Sequence, residues 1–141
     1  MADKVLRGLA LLCCLSAPLL AHGQLPRCDV GFADGHVRSL PLAATPEARS
    51  TGLSGRDEVG EGMLFAWAEE GERRLWMKDT RVPLSAAFID GRGVVRRVVD
   101  MQPYSLDEHA AEPVRYIVEV AKGELEGLGV RVGSRVSIDC R

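Results

Sequence analysis

The stretch EGMLFAWAEEGERRLWMKDTRVPLSAAFID, residues 61–90, decides the fold of this chain. It holds both tryptophans and two of the four methionines. Three short apolar segments follow one another in it, at residues 63–67, 75–77 and 84–89. Each segment is too short for an amphipathic helix and long enough for a β-strand. We therefore expect three strands here, separated by a charged link at 69–74 and by Pro83, to form the centre of the core.

Strand and turn signals surround this stretch on both sides. Asp34-Gly35 and residues 90–93 are typical of hairpin turns, and residues 114–120 and 132–140 alternate between apolar and polar side chains. Residues 101–113 show no periodicity and form the longest predicted loop. A loop of this length either borders a functional site or is a connection without a function of its own. The whole pattern predicts a mainly β domain of about seven or eight strands, arranged as a β-sandwich or a partly open barrel.

Two short helices are predicted beside these strands. Thr45 and Pro46 are the residue types that favour a helix N-cap and the first helical position, and this helix should end near Gly52. The other helix is predicted within residues 122–128 and is stopped by Gly129.

Several short motifs also occur in a characteristic order. They are Gly52-Leu53, residues 62–65 (GMLF), residues 76–80 (WMKDT), Pro83-Leu84 and residues 88–90 (FID). In order and spacing they resemble the signature of the DUF192 (UPF0127) family, over residues 40–138. The chain departs from the family pattern at Asp79, where the family often has Asn, and at Ser85, where it often has Asp. The resemblance implies a jelly-roll-like domain and, because the family is one of unknown function, no particular reaction.

The first 23 residues have the pattern of a signal peptide. Lys4 and Arg7 precede an apolar run at 8–20, which is too short to span a bilayer comfortably. Ala21-His22-Gly23 then places small residues at the two positions that signal peptidase reads. We expect cleavage before Gln24, a single domain at 24–141, and a periplasmic or secreted bacterial protein. An uncleaved N-terminal anchor is the alternative.

The charge of the predicted mature chain argues against nucleic acid as a partner. Residues 24–141 lack Asp3, Lys4 and Arg7, so 16 basic and 19 acidic residues remain of the chain's 18 and 20, a formal charge of −3. There is no basic excess and no basic tract with interleaved aromatic residues. No later apolar segment is long enough to cross a membrane.

Two cysteines remain after the predicted cleavage, Cys28 and Cys140. An even number of cysteines in an exported domain indicates a disulfide. Both residues fall on the apolar face of an alternating segment, so both sulfurs should lie on the buried side of a terminal strand. The bond would close a loop of 112 residues (140 − 28).

Candidate catalytic and metal-binding groups are few. Residues 24–141 contain two histidines, His36 and His109, and no G-x-S-x-G motif. A triad of His109 with Asp107 or Glu108 stays open, although a solvated loop histidine is the simpler interpretation.

The thioethers of three methionines could bind Cu(I) together with the histidines, whereas core packing is the ordinary role of methionine. The methionines concerned are Met63, Met77 and Met101. We predict no cofactor and no metal site.

The pentad Trp76-Met77-Lys78-Asp79-Thr80 is the most unusual local chemistry in the chain. In a strand, Trp76 and Lys78 would share one face, where the ammonium can lie over the indole ring. Asp79 and Thr80 would then begin the turn before Pro83. Structurally, the ring would cover the lysine stem. Functionally, Trp76 would form the wall of a shallow pocket in which Lys78 binds an anion.

Three basic or acidic residues elsewhere complete the candidate ligand-binding set: Arg56, Arg115 and Glu119. Glu119 adjoins apolar strand residues and shares a face with Arg115 and Ile117, and a cross-strand ion pair would be its purely structural role. The sequence thus favours a non-catalytic binding or accessory module of the bacterial envelope, whose partner is a small ligand or an envelope protein. The alternatives are a small enzyme using Lys78, Asp79 and Glu119, including a Schiff-base role for the lysine, and a copper-handling protein.

Overall fold

The computed structural model describes residues 23–141, so nearly all of the predicted signal segment lies outside the described residues. Seven strands form one curled sheet, a half-barrel, accompanied by two short helices. The strands are β1 (Arg27–Gly31), β2 (Val37–Ala43), β3 (Met63–Leu75), β4 (Leu84–Ile89), β5 (Val95–Met101), β6 (His109–Ala121) and β7 (Ser137–Asp139). The helices are α1 (Pro46–Thr51) and α2 (Glu124–Gly127). The predicted mainly β class is confirmed.

The strand order in the sheet is β5-β4-β6-β3-β2-β1-β7. Neighbouring strands are antiparallel except β2 and β3, which are parallel. The two ends of the sheet approach each other, because Val94 forms a bridge with Arg135 and the Val136 N–H donates to the Gly93 carbonyl at 2.8 Å. This contact curls the sheet toward a barrel. No helix within 23–141 has the length and apolar character needed to cross a membrane.

Strand β4 is buried at all six positions, because the sheet has a hydrophobic core on each face. Ala87 and Ile89 belong to the first core, together with Cys28, Val30, Leu40, Leu64, Val118 and Val120. Leu84, Ala86 and Phe88 belong to the second core, together with Leu53, Met63, Phe65, Met77, Met101 and Ile117. A strand covered on both faces needs no polar alternation, which explains its continuous apolar sequence.

The prediction of two strands joined by a charged link is wrong, because one long strand, β3, covers both segments and the link. Residues 63–75 form one strand that pairs with β6 along its length, with register shifts between Ala66 and Gly71 and between Gly71 and Arg73. The charged residues fit because this half of the strand projects beyond the core and exposes alternate side chains. β6 accordingly begins at His109, inside the segment predicted as loop.

The chain end also differs from its prediction. The last strand covers only three residues, and Val132 is 65% exposed rather than turned inward. Cys28 and Cys140 form a candidate disulfide, with the sulfurs 2.01 Å apart. Cys28 is buried in the first core, whereas Cys140 follows β7 and is exposed. The prediction that both cysteines lie on the buried side of a strand is therefore correct for Cys28 and wrong for Cys140.

The predicted helix cap is confirmed, and the first hairpin turn is present at the predicted place but is one residue longer than Asp34-Gly35. The Thr45 side chain accepts a hydrogen bond from the Ala48 N–H at 3.1 Å, and α1 ends at Gly52. The first hairpin is closed by the Phe32 N–H donating to the His36 carbonyl at 2.8 Å, so its turn has three residues rather than two.

Candidate functional site

A cavity of about 410 Å³ opens beside the second core. Its walls come from α1, from the two ends of β3, from the pentad after β3, and from β6. Trp76 and Lys78 lie on its wall, and Glu119 of β6 also lines it. This cavity therefore brings together three of the six residues predicted to bind a ligand.

The strand predicted for the start of the pentad ends before it, at Leu75, and the turn predicted at Asp79 and Thr80 is present. The Thr80 N–H donates to the Met77 carbonyl at 3.1 Å, and Asp79 has a left-handed φ of 56°. The loop after β5 holds this turn: the Met77 N–H donates to Ser105 and the Tyr104 N–H donates to Thr80, each at 3.0 Å. Tyr104 is itself left-handed, with a φ of 61°. Non-glycine residues in this conformation cost about 1 kcal/mol or more each and persist where surrounding contacts enforce them.

The turn is also fastened to the segment that follows α1. The Gly55 N–H donates to the Asp79 carbonyl at 2.9 Å. The hydroxyls of Ser54 and Thr80 both donate to the Lys78 carbonyl, at 3.4 Å and 3.2 Å. These bonds fix the backbone of Lys78 at the rim of the cavity. Asp79 is exposed and does not line the cavity, so its observed part is to shape the turn.

Lys78 places its ammonium nitrogen 5.4 Å from the centroid of the Trp76 ring. The predicted contact is present, although a turn rather than a strand creates it. Trp76 is 50% exposed, so one part of the indole faces solvent at the cavity mouth. No carboxylate lies within ion-pair distance of Lys78 in the part of the chain that the structure describes.

The two arginines that line the cavity are already engaged. Arg49 donates to the carbonyls of Ala44 and Ala66, at 2.6 Å and 3.0 Å. Arg74 pairs with Glu108 and Glu72, and these carboxylates raise the pKa of the guanidinium. Lys78 is therefore the rim cation best able to accept a new anionic partner.

Trp67 also lines the cavity, and sequence analysis missed it as a site residue. Its indole is half-buried and has two guanidinium groups over the ring, Arg49 at 5.1 Å and Arg73 at 4.9 Å from the centroid. Arg49 comes from α1 and Arg73 from β3 itself, so these contacts depend on how the helix packs on the sheet. No local signal in the sequence specifies that packing.

Glu119 lines the cavity from β6 and is only 4% exposed. Its neighbours in the adjacent strands are Met63 and Ala86, which bring no charge. Burial raises the pKa of the Glu119 carboxyl to about 8, because removal of water disfavours the charged form. At neutral pH this carboxyl is mostly protonated. Gly62 is required beside it, because a Cβ there would collide with the Glu119 carbonyl oxygen.

The cross-strand ion pair considered for Glu119 does not form, because its neighbours in β3 and β4 are Met63 and Ala86. The Arg115 side chain donates to the Trp67 carbonyl at 3.3 Å and stacks on Tyr116. Arg56 is likewise outside the site, since it lines a separate cavity next to Leu25 and Arg27. The structure thus unites Trp76, Lys78 and Glu119 and separates them from Asp79, Arg56 and Arg115.

The groups considered for copper binding and for a catalytic triad have other partners. Met63, Met77 and Met101 are each 1% exposed in the second core, and His36 contacts Asp34 at an exposed hairpin. Glu108 pairs with Arg74 instead of supporting His109. Residues 23–141 contain no group of three or more His, Cys, Asp and Glu side chains placed to hold a metal ion.

Comparison with known proteins gives a family and a fold. The family model DUF192, described as an uncharacterized ACR, matches residues 30–138. A protein of unknown function from Novosphingobium aromaticivorans DSM 12444 has a similar crystal structure, with a TM-score of 0.71 and 28% identity over 79% of this chain and 83% of that one. A candidate transcription regulator from Sinorhizobium meliloti 1021 has a TM-score of 0.71 and 32% identity over 82% and 98% of the two chains. No curated protein matches the chain.

Proposed function

The chain belongs to the DUF192 family, and from the geometry of its cavity we propose that it is an exported, non-catalytic binding module for a small organic anion. The observation that carries this proposal is the position of Lys78. Its ammonium stands at the mouth of a cavity of about 410 Å³ without an ion-pair partner among the described residues. A cavity of this size can hold a small ligand and remove much of its surface from water.

The surroundings of Lys78 strengthen its attraction for an anion. Glu119 is buried and mostly uncharged at neutral pH, and Phe65 and Leu53 supply apolar walls. Charges interact more strongly where protein replaces water, so an anion at the rim gains more than at an open surface. Arg49 adds positive potential because its hydrogen bonds go to neutral carbonyls, whereas the charge of Arg74 is balanced by Glu72 and Glu108.

The enzymatic alternative has less support. It required Lys78, Asp79 and Glu119 to act together, and Asp79 lies outside the cavity. The copper-handling alternative needed accessible thioethers, and the three candidate methionines fill the second core. A binding module uses only the groups that the cavity already assembles.

Export is supported by the signal-peptide pattern of residues 1–23 and by the candidate disulfide, since disulfides persist in oxidising compartments. N-terminal sequencing of protein recovered from the periplasm should give Gln24 as the first residue. Recovery of the full chain, beginning at Met1, in the membrane fraction would contradict the export and cleavage.

Anion binding is tested by thermal shift with phosphate, sulfate, acetate and D-glucuronate. Lys78→Met keeps the stem over Trp76 and removes the charge, and Lys122→Met is the matched control because Lys122 is exposed and lies outside the cavity. At a hundredfold excess over Kd, binding adds about 2.7 kcal/mol to the free energy of unfolding. We expect stabilisation by at least one anion in the native protein and in Lys122→Met but not in Lys78→Met. Stabilisation retained in Lys78→Met, or none with any anion, contradicts the proposal.

A further inference from the structure

We propose that the ligand is a monosaccharide carboxylate of the uronic acid class, whose carboxylate binds Lys78 while a ring or hydroxyl oxygen accepts a hydrogen bond from the Glu119 carboxyl group. This inference rests on the anion-binding function proposed above and names the ligand class of that site. It follows from three features of the cavity: its hydroxyl side chains, its exposed indole and its buried acid.

Four hydroxyl side chains line the cavity, from Ser50, Thr51, Ser54 and Thr80. The hydrogens of the Ser54 and Thr80 hydroxyls are used, because both donate to the Lys78 carbonyl. Their oxygens can still accept hydrogen bonds. A ligand that brings several O–H donors satisfies them, whereas acetate and sulfate bring none and the phosphate dianion brings only one. The pairing of acceptors with a cation therefore favours a hydroxylated anion over a simple one.

Trp76 gives the cavity a flat apolar surface. It is 50% exposed at the mouth, whereas the ring of Trp67 is already covered by the guanidinium groups of Arg49 and Arg73. An indole presents a large apolar surface at little cost in side-chain entropy, so it suits the C–H face of a sugar ring. A cavity of about 410 Å³ has room for a single sugar residue rather than a long oligosaccharide.

Glu119 decides which protonation state of the protein binds this ligand. The charged groups that line the cavity are Arg49 from α1, Arg74 from β3 and Lys78 from the turn, and none is within ion-pair distance of Glu119. Opposite it in the sheet stand the uncharged Met63 and Ala86. An ionised Glu119 would place a second negative charge in the cavity beside the ligand carboxylate. The protonated acid avoids that repulsion and supplies an O–H donor.

The affinity for D-glucuronate, measured by isothermal titration calorimetry on the mature protein, tests this directly. With the pKa of Glu119 near 8, the affinity should fall about tenfold between about pH 6.5 and about pH 9, because the binding-competent protonated fraction falls by that factor. The ligand carboxylate stays ionised over the whole range. In Glu119→Gln an amide N–H replaces the acid O–H, so binding should persist with a flat pH profile. Glu112→Gln, exposed on the same strand and outside the cavity, should keep the native profile.

Each of the other possible results would contradict a particular part of the proposal. D-glucuronate binding that does not vary with pH, or varies equally in Glu119→Gln, overturns the role of Glu119 and leaves the anion-binding function intact. Acetate or phosphate binding as tightly as D-glucuronate overturns the uronic acid class. D-glucose binding as tightly as D-glucuronate removes the need for the ligand carboxylate. Failure of every anion to bind overturns the inference together with the function on which it rests.

Discussion

The first core, around Cys28 and Val30, is enclosed by α2 and by the chain end, whereas the second core, around Met63 and Phe88, opens into a cavity. The enclosed side carries the candidate disulfide. The open side carries the two left-handed non-glycine residues and the buried acid. Local conformational and electrostatic costs are thus concentrated on one face, where surrounding structure holds them in place.

The sheet itself is the same for both sides. Phe88 and Ile89 are neighbours in β4, are both fully buried, and enter opposite cores. One face is enclosed and the other has a cavity because different segments of the chain cover the two faces. The first face is covered by segments that close the barrel, and the second by a helix and two turns that leave a cavity between them.

Reduction of the disulfide should cause the largest loss of stability, and the loss should arise on the enclosed side, around the first core. The loop it closes spans 112 residues, for which the chain-entropy model gives about 4–5 kcal/mol of stability. Urea unfolding of the oxidised and the reduced protein measures this difference, and intact mass with alkylation establishes the pairing. Anion binding to the reduced protein should be unchanged while it remains folded. Two alkylated cysteines in unreduced protein would refute the pairing.

The second largest expected effect is the pH dependence of stability that Glu119 causes on the open side. Its pKa is raised from 4.5 to about 8 on folding, so between these values the folded state holds one more proton than the unfolded state. The contribution of Glu119 to stability is therefore fully present below pH 4.5 and is lost as the pH rises through about 8, by about 1 kcal/mol per pH unit. Glu119→Gln should remove this slope and be the more stable protein at pH 8. Chemical denaturation at several pH values from about 5 to 8 gives the slopes.

The pH range from about 5 to 8 distinguishes the contribution of Glu119 to stability from that of Asp90, a buried acid that is well hydrogen-bonded. Burial acts to raise the pKa of Asp90, but hydrogen bonds from the Val94 N–H, the Arg96 side chain and the Arg92 N–H outweigh it and lower the pKa. Stability from Asp90 is present above its ordinary value of 3.8 and is lost only as the pH falls further. A native slope of the opposite sign between pH 5 and 8 would contradict the assignment to Glu119.

Replacing the two tryptophans should cost different amounts of stability, because Trp67 is more buried than Trp76. Trp67→Ala removes a half-buried ring that Arg49 and Arg73 contact, and we expect a loss of about 3 kcal/mol. Trp76→Ala removes a ring that is 50% exposed, so a loss of about 1 kcal/mol is expected. Urea unfolding of both variants compares them. Equal losses would show that Trp76 contributes more to the fold than its exposure implies.

Lys78→Met should have the smallest effect on stability. The charge it removes lies over an exposed part of Trp76, where a cation–π contact contributes under about 1 kcal/mol. The apo melting temperature should therefore stay close to that of the native protein and of Lys122→Met. A large drop would mean that Lys78 is needed for folding, and the ligand comparison would then require a milder change such as Lys78→Arg.

Sequence patterns predicted the local elements of the fold well. The Thr45-Pro46 helix start, the turns near Gly35 and Gly91 and the buried strand at 84–89 all rest on neighbouring residues, and all are present. The main failure comes from pairing between distant segments, because charged residues 69–74 stay in strand β3 where β6 pairs with them. A second failure is local: Val132 is exposed because the chain turns before β7.

The sequence by itself determined a mainly β domain, the family resemblance and the contact of Lys78 with Trp76, because each depends on residues close together in the chain. Tertiary structure alone decided that Glu119 shares a cavity with them, that Arg115 and Arg56 do not, and that Trp67 forms a wall. It also decided the protonation of Glu119. The charge of a carboxyl group depends on how much water surrounds it, and here the water is removed by segments far away in the sequence.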